Sequence, residues 1–161
     1  MAQEKITFEQ FIESVDAGHK PFVQEIHNYF VSIGCKIAFE KKANGYLASY
    51  KHGKPPKAVM NFIFRKQGML ARIYGERISS YPDFLNALPS EMINSIENAG
   101  TCKRLTENTC STKCMGYDFT IGDAHFQKCR YNCFEFLLTD ESKPYIKSFV
   151  EHELAGRNSG V

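Results

Sequence analysis

Apolar residues open the chain at helical spacing. Phe8, Phe11, Ile12 and Val15 stand at i, i+3, i+4 and i+7, the pattern of one buried helix face. Thr7 and Gln10 supply a Thr-x-x-Gln capping box ahead of them, and Gly18 a stop behind. A second stripe, Phe22, Val23, Ile26, Phe30 and Ile33, follows with Pro21 in its first turn and Gly34 after its last. From Cys35 the period falls to two. "CKIAFEKKANGYLASYKH" predicts two strands around a turn at Asn44-Gly45, and "KAVMNFIFRKQGMLARIYGE" repeats the plan around Gln67-Gly68. Lys54-Pro55-Pro56-Lys57 separates the pairs, so the expectation is a four-stranded antiparallel meander.

Helical spacing returns after Gly75 in short pieces: Phe84, Leu85 and Leu88, then Met92, Ile93 and Ile96, with Pro82 and Pro89 near the starts and Gly100 past the end. A closing helix is predicted to begin between Thr139 and Ser142, with Ile146, Phe149, Val150 and Leu154 on one face; Gly156 to Val161 reads as a polar tail. The fold class is therefore α+β, an antiparallel sheet covered by helices, with a C-terminal metal-organised cysteine-rich hairpin and closing helix. At 161 residues this is one domain. Residues 1–100 form its helix–helix–meander–helix core, and residues 101–155 the cysteine-rich hairpin and last helix.

Composition narrows the class. Hydrophobic residues at 43% and charged residues at 24% describe a globular chain rather than a disordered or fibrous one. A net charge of +2 is too small to point to nucleic acid by itself. No run of about 18 apolar residues spans a bilayer, and "MAQEKITFEQ" has no basic region followed by an apolar one. The expectation is a cytoplasmic protein without membrane association. In that compartment thiols stay reduced, so clustered cysteines point to metal or redox chemistry more than to disulfides.

Five of the six cysteines lie between positions 102 and 133, spaced Cys102-x7-Cys110-x3-Cys114-x14-Cys129-x3-Cys133. Tetrahedral zinc takes four soft donors, commonly as two close pairs. "YDFTIGDAHFQKC" predicts a hairpin turning at Gly122-Asp123 with Ile121 opposite Ala124. Extended further, that register puts Tyr131 opposite Cys114, with Cys129 and Cys133 as diagonal neighbours on the same face. On a regular strand Cys129 and Cys133 are about 13 Å apart at roughly 3.3 Å per residue, too far to share one metal unless the chain bends or turns helical between them. His125 fails by the same distance. Cys133 leads into the apolar run "CFEFLL", so the predicted ligand set is Cys102, Cys110, Cys114 and Cys129, with Cys133 as the competitor for the fourth place. Zn2+ is the expected metal; an iron–sulfur cluster, disulfides and unliganded redox thiols are the alternatives. The segment from Cys102 to Met115 has only Leu105 and Met115 as large aliphatic residues, so metal binding would supply its ordering free energy. Lys103, Arg104, Lys128 and Arg130 would surround the site, where cations offset thiolate charge; the alternative is an anion or phosphate pocket beside the metal.

A second candidate is the sheet. Tyr46, Tyr50, Arg65, Arg72 and Tyr74 on related faces would provide stacking and phosphate contacts for single-stranded nucleic acid, against the plainer reading of a half-solvated sheet. The five histidines show no metal spacing among themselves, and no Gly-rich phosphate loop or nucleophile elbow is present. Nothing in the sequence demands an enzyme.

Residues 11–70, "FIESVDAGHKPFVQEIHNYFVSIGCKIAFEKKANGYLASYKHGKPPKAVMNFIFRKQGML", resemble the small bacterial YdhG-type domain of unknown function, in which two helices precede an antiparallel sheet. The resemblance implies an α+β sandwich of the frataxin-like or YjbR-like general kind. "CKRLTENTCSTKCMGYDFTIGDAHFQKCRYNCFEFLL" is similar to C-terminal segments of uncharacterised bacterial proteins, which implies a recurring cysteine module. The functional expectation is a small zinc-binding protein acting as a binding or regulatory module. The alternatives are a single-stranded nucleic-acid-binding domain and a thiol redox sensor or enzyme.

Overall fold

The computed structural model describes residues 5–102 and 116–159. Helices α1 (Phe8–Glu13) and α2 (Lys20–Ser32) lead into strands β1 (Lys36–Lys42), β2 (Gly45–His52), β3 (Lys57–Arg65) and β4 (Gly68–Ile73). A 3-10 turn (Ile78–Ser80) and helices α3 (Pro82–Asn86) and α4 (Ser90–Asn98) come next. Then follow the hairpin β5 (Tyr117–Ile121) and β6 (Ala124–Lys128), strand β7 (Glu135–Leu137) and the closing helix α5 (Ser142–Ser159). The main sheet runs β1-β2-β3-β4-β7 with antiparallel neighbours, and β5-β6 forms a separate two-stranded sheet. The α+β class and the antiparallel meander are as the sequence predicts. Strand β7 is an addition, a fifth strand returning beside β4 after the excursion through the cysteine-rich segment.

The local signals explain most ends. Thr7 and Gln10 form both halves of the capping box, the Thr7 N–H donating to Gln10 Oε1 at 2.8 Å and the Gln10 N–H to Thr7 Oγ1 at 3.2 Å. Both meander hairpins turn one residue earlier than predicted. Lys42 pairs with Gly45 and Arg65 with Gly68, so each glycine is the first paired residue of the returning strand. At Gly45 the backbone has φ +145°, and a Cβ there would lie 2.9 Å from the Phe64 ring, so only glycine fits. Before α5, Thr139 and Ser142 exchange side-chain and backbone bonds of 2.9 and 3.0 Å. The helix does not end at Gly156 as the sequence suggests; it runs to Ser159.

Opposed residues share a face of a sheet, so the pairing sorts the side chains. Tyr50, Met60 and Ile73 form one row, and Ala48, Phe62, Ala71 and Phe136 the next. These lie on the face packed by α1, α2 and α5: Phe11 sits 6.2 Å from Phe62, Phe30 stacks on Tyr50 at 4.5 Å, and Phe149 meets Phe136 at 6.2 Å between ring centroids. Ser49, Asn61, Arg72 and Glu135 form a row on the opposite face. The hairpin β5-β6 adds Tyr117 and Phe119 to the core through Phe134, which in turn meets Phe149 at 5.0 Å. No described helix is long and apolar enough to cross a membrane.

Candidate functional site

The cysteine segment is organised by β6. Its inner edge pairs with β5 in the predicted register, Ile121 opposite Ala124 and Tyr117 opposite Lys128. Its other edge meets the chain entering the segment: Thr101 bridges Lys128, the Cys102 N–H donates to Gln127 O at 2.9 Å, and the Cys129 N–H to Gly100 O at 2.8 Å. In such a ladder the residues flanking the bridged pair point to the opposite side from it, so Cys102, Gln127 and Cys129 share one face. Cys102 and Cys129 are diagonal neighbours there, a relation with Cα atoms about 7–8 Å apart, within reach of one metal bonded to sulfur at about 2.3 Å.

The extended strand expected through Cys129 to Cys133 is not formed. The Asn132 and Cys133 N–H groups both donate back to Cys129 O, at 3.1 and 2.9 Å, closing one helical turn. The β5–β6 register therefore stops at Lys128, Tyr131 is half exposed, and the partner expected for it, Cys114, lies outside the described residues. Distance no longer separates Cys129 from Cys133, since residues four apart in a helical turn are neighbours. Surroundings do. Cys133 is fully buried within the hydrophobic core, whereas Cys129 is only half-buried. Burial raises the Cys133 thiol pKa well above its usual value, and burial pushes the Cys35 thiol up to about 11. Both are poor nucleophiles at neutral pH. Cys110, Cys114, Lys103 and Arg104 lie outside the described residues. Among the described residues no group of three or more His, Cys, Asp or Glu side chains is placed to hold a metal. His125 instead contacts Asp118 at 2.6 Å on the hairpin surface.

The flanking cations have structural partners. Lys128 Nζ donates to the Glu97 and Ala99 carbonyls at 2.9 Å each, closing the C-terminus of α4. Arg130 pairs with Glu76 and lies over the rings of Tyr74 and Tyr131, 5.6 and 5.8 Å from their centroids.

The five tyrosine and arginine residues expected on related faces are divided by the register. Tyr46 and Tyr50 lie on the helix-covered face, Tyr50 fully buried with its hydroxyl 3.0 Å from His27 Nδ1. Arg65, Arg72 and Tyr74 lie on the other. There one Glu135 oxygen receives Arg72 at 2.9 and 2.6 Å and Arg65 at 3.2 Å, and Tyr74 Oη accepts from Asn61 Nδ2 at 2.9 Å. The set forms no single stacking platform, and both arginines are already engaged by a carboxylate.

Two further arrangements arise only in the assembled fold. His27 stacks on Phe8 with centroids 3.7 Å apart, bordering a cleft of about 460 Å³ beside edge strand β1. Burial lowers its pKa below the ordinary 6.5, against a smaller opposing effect of Glu9. Above 6.5 the folded and unfolded forms are both neutral. Below it the unfolded chain binds a proton that the folded one resists, so stability falls as pH drops from 6.5 toward the lower folded value. His19, also lowered by burial first, acts in the same sense. Urea unfolding of wild type and His27→Gln at pH values either side of this window is expected to show a shallower pH dependence in the variant; equal slopes would contradict it.

The second arrangement is a buried ionic network. Glu153, fully buried on α5, accepts from Tyr81 Oη at 2.6 Å, from the Arg77 N–H at 3.0 Å and from Arg157 Nε at 2.6 Å. Arg157 Nη2 donates to the carbonyls of Ala58 and Tyr74, each at 2.9 Å. Gly156 permits the approach, because a Cβ there would lie 3.1 Å from Arg77 Cβ and from Ser80 Oγ. The i, i+4 spacing of Glu153 and Arg157 was visible in the sequence; their burial was not. Comparison with family models, with curated proteins and with solved structures returned no match.

Proposed function

We propose that the chain is a small binding or regulatory module of a reducing compartment such as the cytoplasm. In it one zinc ion, held by Cys102, Cys110, Cys114 and Cys129, orders the cysteine-rich segment. The observation that carries the reading is the Thr101–Lys128 bridge, with the two backbone bonds that set Cys102 and Cys129 diagonally on one face. Those two residues are half of the ligand set. The other half comes from the short Cys-x3-Cys stretch between them in sequence.

Four thiolates fill a tetrahedral zinc and leave no open position, so the role is structural rather than catalytic. Ordering the thirteen or so residues from Lys103 to Met115 costs about 1–2 kcal/mol each in backbone entropy, which so few apolar residues do not offset. Zinc binding supplies free energy on that scale. The ladder at Cys102 and the turn at Cys129 both hang on the main core, through β6 and through Phe134 O accepting from the Ile73 N–H at 2.9 Å. Metal occupancy is thereby coupled to the packing of β7 against β4. Chelation should expose the thiols: alkylation of the purified protein is expected to be slow, and to quicken by orders of magnitude for Cys102, Cys110, Cys114 and Cys129 once a strong chelator is added. Equal rates with and without chelator would argue for unliganded redox thiols instead.

A further inference from the structure

Beyond the metal, the geometry points to an anion-binding cleft between the β2–β3 connection and the end of α5, shaped for a compact phosphate ester or diphosphate. The cleft has a volume of about 380 Å³ and is lined by His52, Lys54, Lys57, Glu76, Arg77 and Arg157 among others. Its charge is not internally balanced. Glu76 is engaged by Arg130, and Arg157 by Glu153. Lys54, Lys57 and Arg77 have no carboxylate partner among the described residues. Among the described residues, three cations therefore line one concavity without an ion-pair partner, and in a concave wall their fields add.

The cleft is also built rather than incidental. One fully buried carboxylate, Glu153, fixes two of the lining arginines at once, Arg157 through its Nε and Arg77 through its backbone N–H. The Arg157 guanidinium is held at three of its donor positions, while its Nη1 is buried without a hydrogen-bond partner. An unsatisfied buried donor costs about 1–3 kcal/mol, and an anion oxygen or a water bridging to one would recover it. The end of β2, the β2–β3 connection and the start of β3 contribute His52, Lys54 and Lys57.

Size and lining choose the ligand class. The volume lies at the small end of ligand sites, enough for a phosphate or diphosphate with a short organic group. No Phe or Tyr lines it, so it offers no platform on which a nucleobase would stack. A compact, multiply charged oxyanion fits better than a nucleic-acid strand.

The test is calorimetric and NMR titration of the full-length, metal-loaded protein with inorganic pyrophosphate, with single-stranded oligonucleotide as the second probe. Saturable pyrophosphate binding is expected, with shifts confined to residues 52–57, 76–77 and 157–158. Arg77→Gln and the double change Lys54→Gln/Lys57→Gln are each expected to weaken it about tenfold or more, the worth of one or two charge-assisted hydrogen bonds. These are exposed side chains, so the melting temperature should stay the same. The proposal is overturned by absence of saturable binding, by unchanged affinity in both variants, or by oligonucleotide binding at these residues where pyrophosphate does not bind.

Discussion

Replacing Glu153 by alanine is expected to lower the unfolding free energy by about 3–5 kcal/mol, because it leaves the mostly buried Arg157 guanidinium at the cleft wall without its counter-charge. The side chain of Arg157 is only 13% exposed and cannot swing into water without abandoning the Ala58 and Tyr74 carbonyls. The same truncation orphans the Tyr81 hydroxyl and the Arg77 N–H, both of which now donate to Glu153. A domain of this size loses about 2–4 °C in melting temperature per kcal/mol, so a fall of roughly 10–15 °C should accompany the change. A double change, Glu153→Leu with Arg157→Met, removes both charges and should recover part of the loss. Recovery stays incomplete, since Tyr81 and Arg77 still lack an acceptor. Urea unfolding of the two singles and the double gives the coupling directly; a Glu153→Ala cost under about 1 kcal/mol would contradict the network's role.

Phe134→Ala carries a similar expected cost, about 3–5 kcal/mol, for a different reason. Phe134 is fully buried and is the ring through which three parts of the molecule meet. It stacks on Tyr117 at 5.1 Å, lies 5.4 Å from Phe119 of the hairpin, and meets Phe149 of α5 at 5.0 Å. Its removal opens a cavity between hairpin, sheet and closing helix. Because Cys133 immediately precedes it, the variant should also loosen the turn that holds Cys129. The expected result is a lower unfolding midpoint in urea together with faster amide exchange through β5 and β6 than through β1 and β2. Uniform acceleration across the whole sheet would show that the hairpin is not a separately anchored unit.

Much of the fold was legible because its signals are local. The hairpin at Gly122-Asp123 was read in register, since Tyr117, Phe119 and Ile121 alternate strictly and the turn leaves one solution. The meander hairpins were found but turn one residue early. There the glycine serves the first paired position, where the returning backbone needs positive φ, instead of the second turn position. Strand β7 was missed: three residues within an apolar run give no alternation to read. The turn at Cys129 has no glycine or proline to announce it, so the sequence reads as a strand spanning about 13 Å from Cys129 to Cys133, where a helical turn brings the two together. The tyrosine and arginine set failed on parity, because whether a residue at 50 or 72 faces helices or solvent depends on pairing that only the assembled sheet settles. Arg157 lies in the stretch Gly156–Val161 that the sequence reads as a polar tail; only packing of α5 against Tyr81 and Arg77 buries Glu153 and joins the two side chains in one network.

Metal analysis of the untagged protein, alongside Cys129→Ser and Cys133→Ala, asks whether one zinc with Cys102 and Cys129 among its ligands organises the C-terminal segment. One zinc per chain is expected in the wild type, retained in Cys133→Ala and lost in Cys129→Ser. Wild-type protein carrying neither zinc nor iron would contradict it, iron with sulfide would replace zinc by a cluster, and zinc lost only in Cys133→Ala would assign the fourth ligand to the buried cysteine instead.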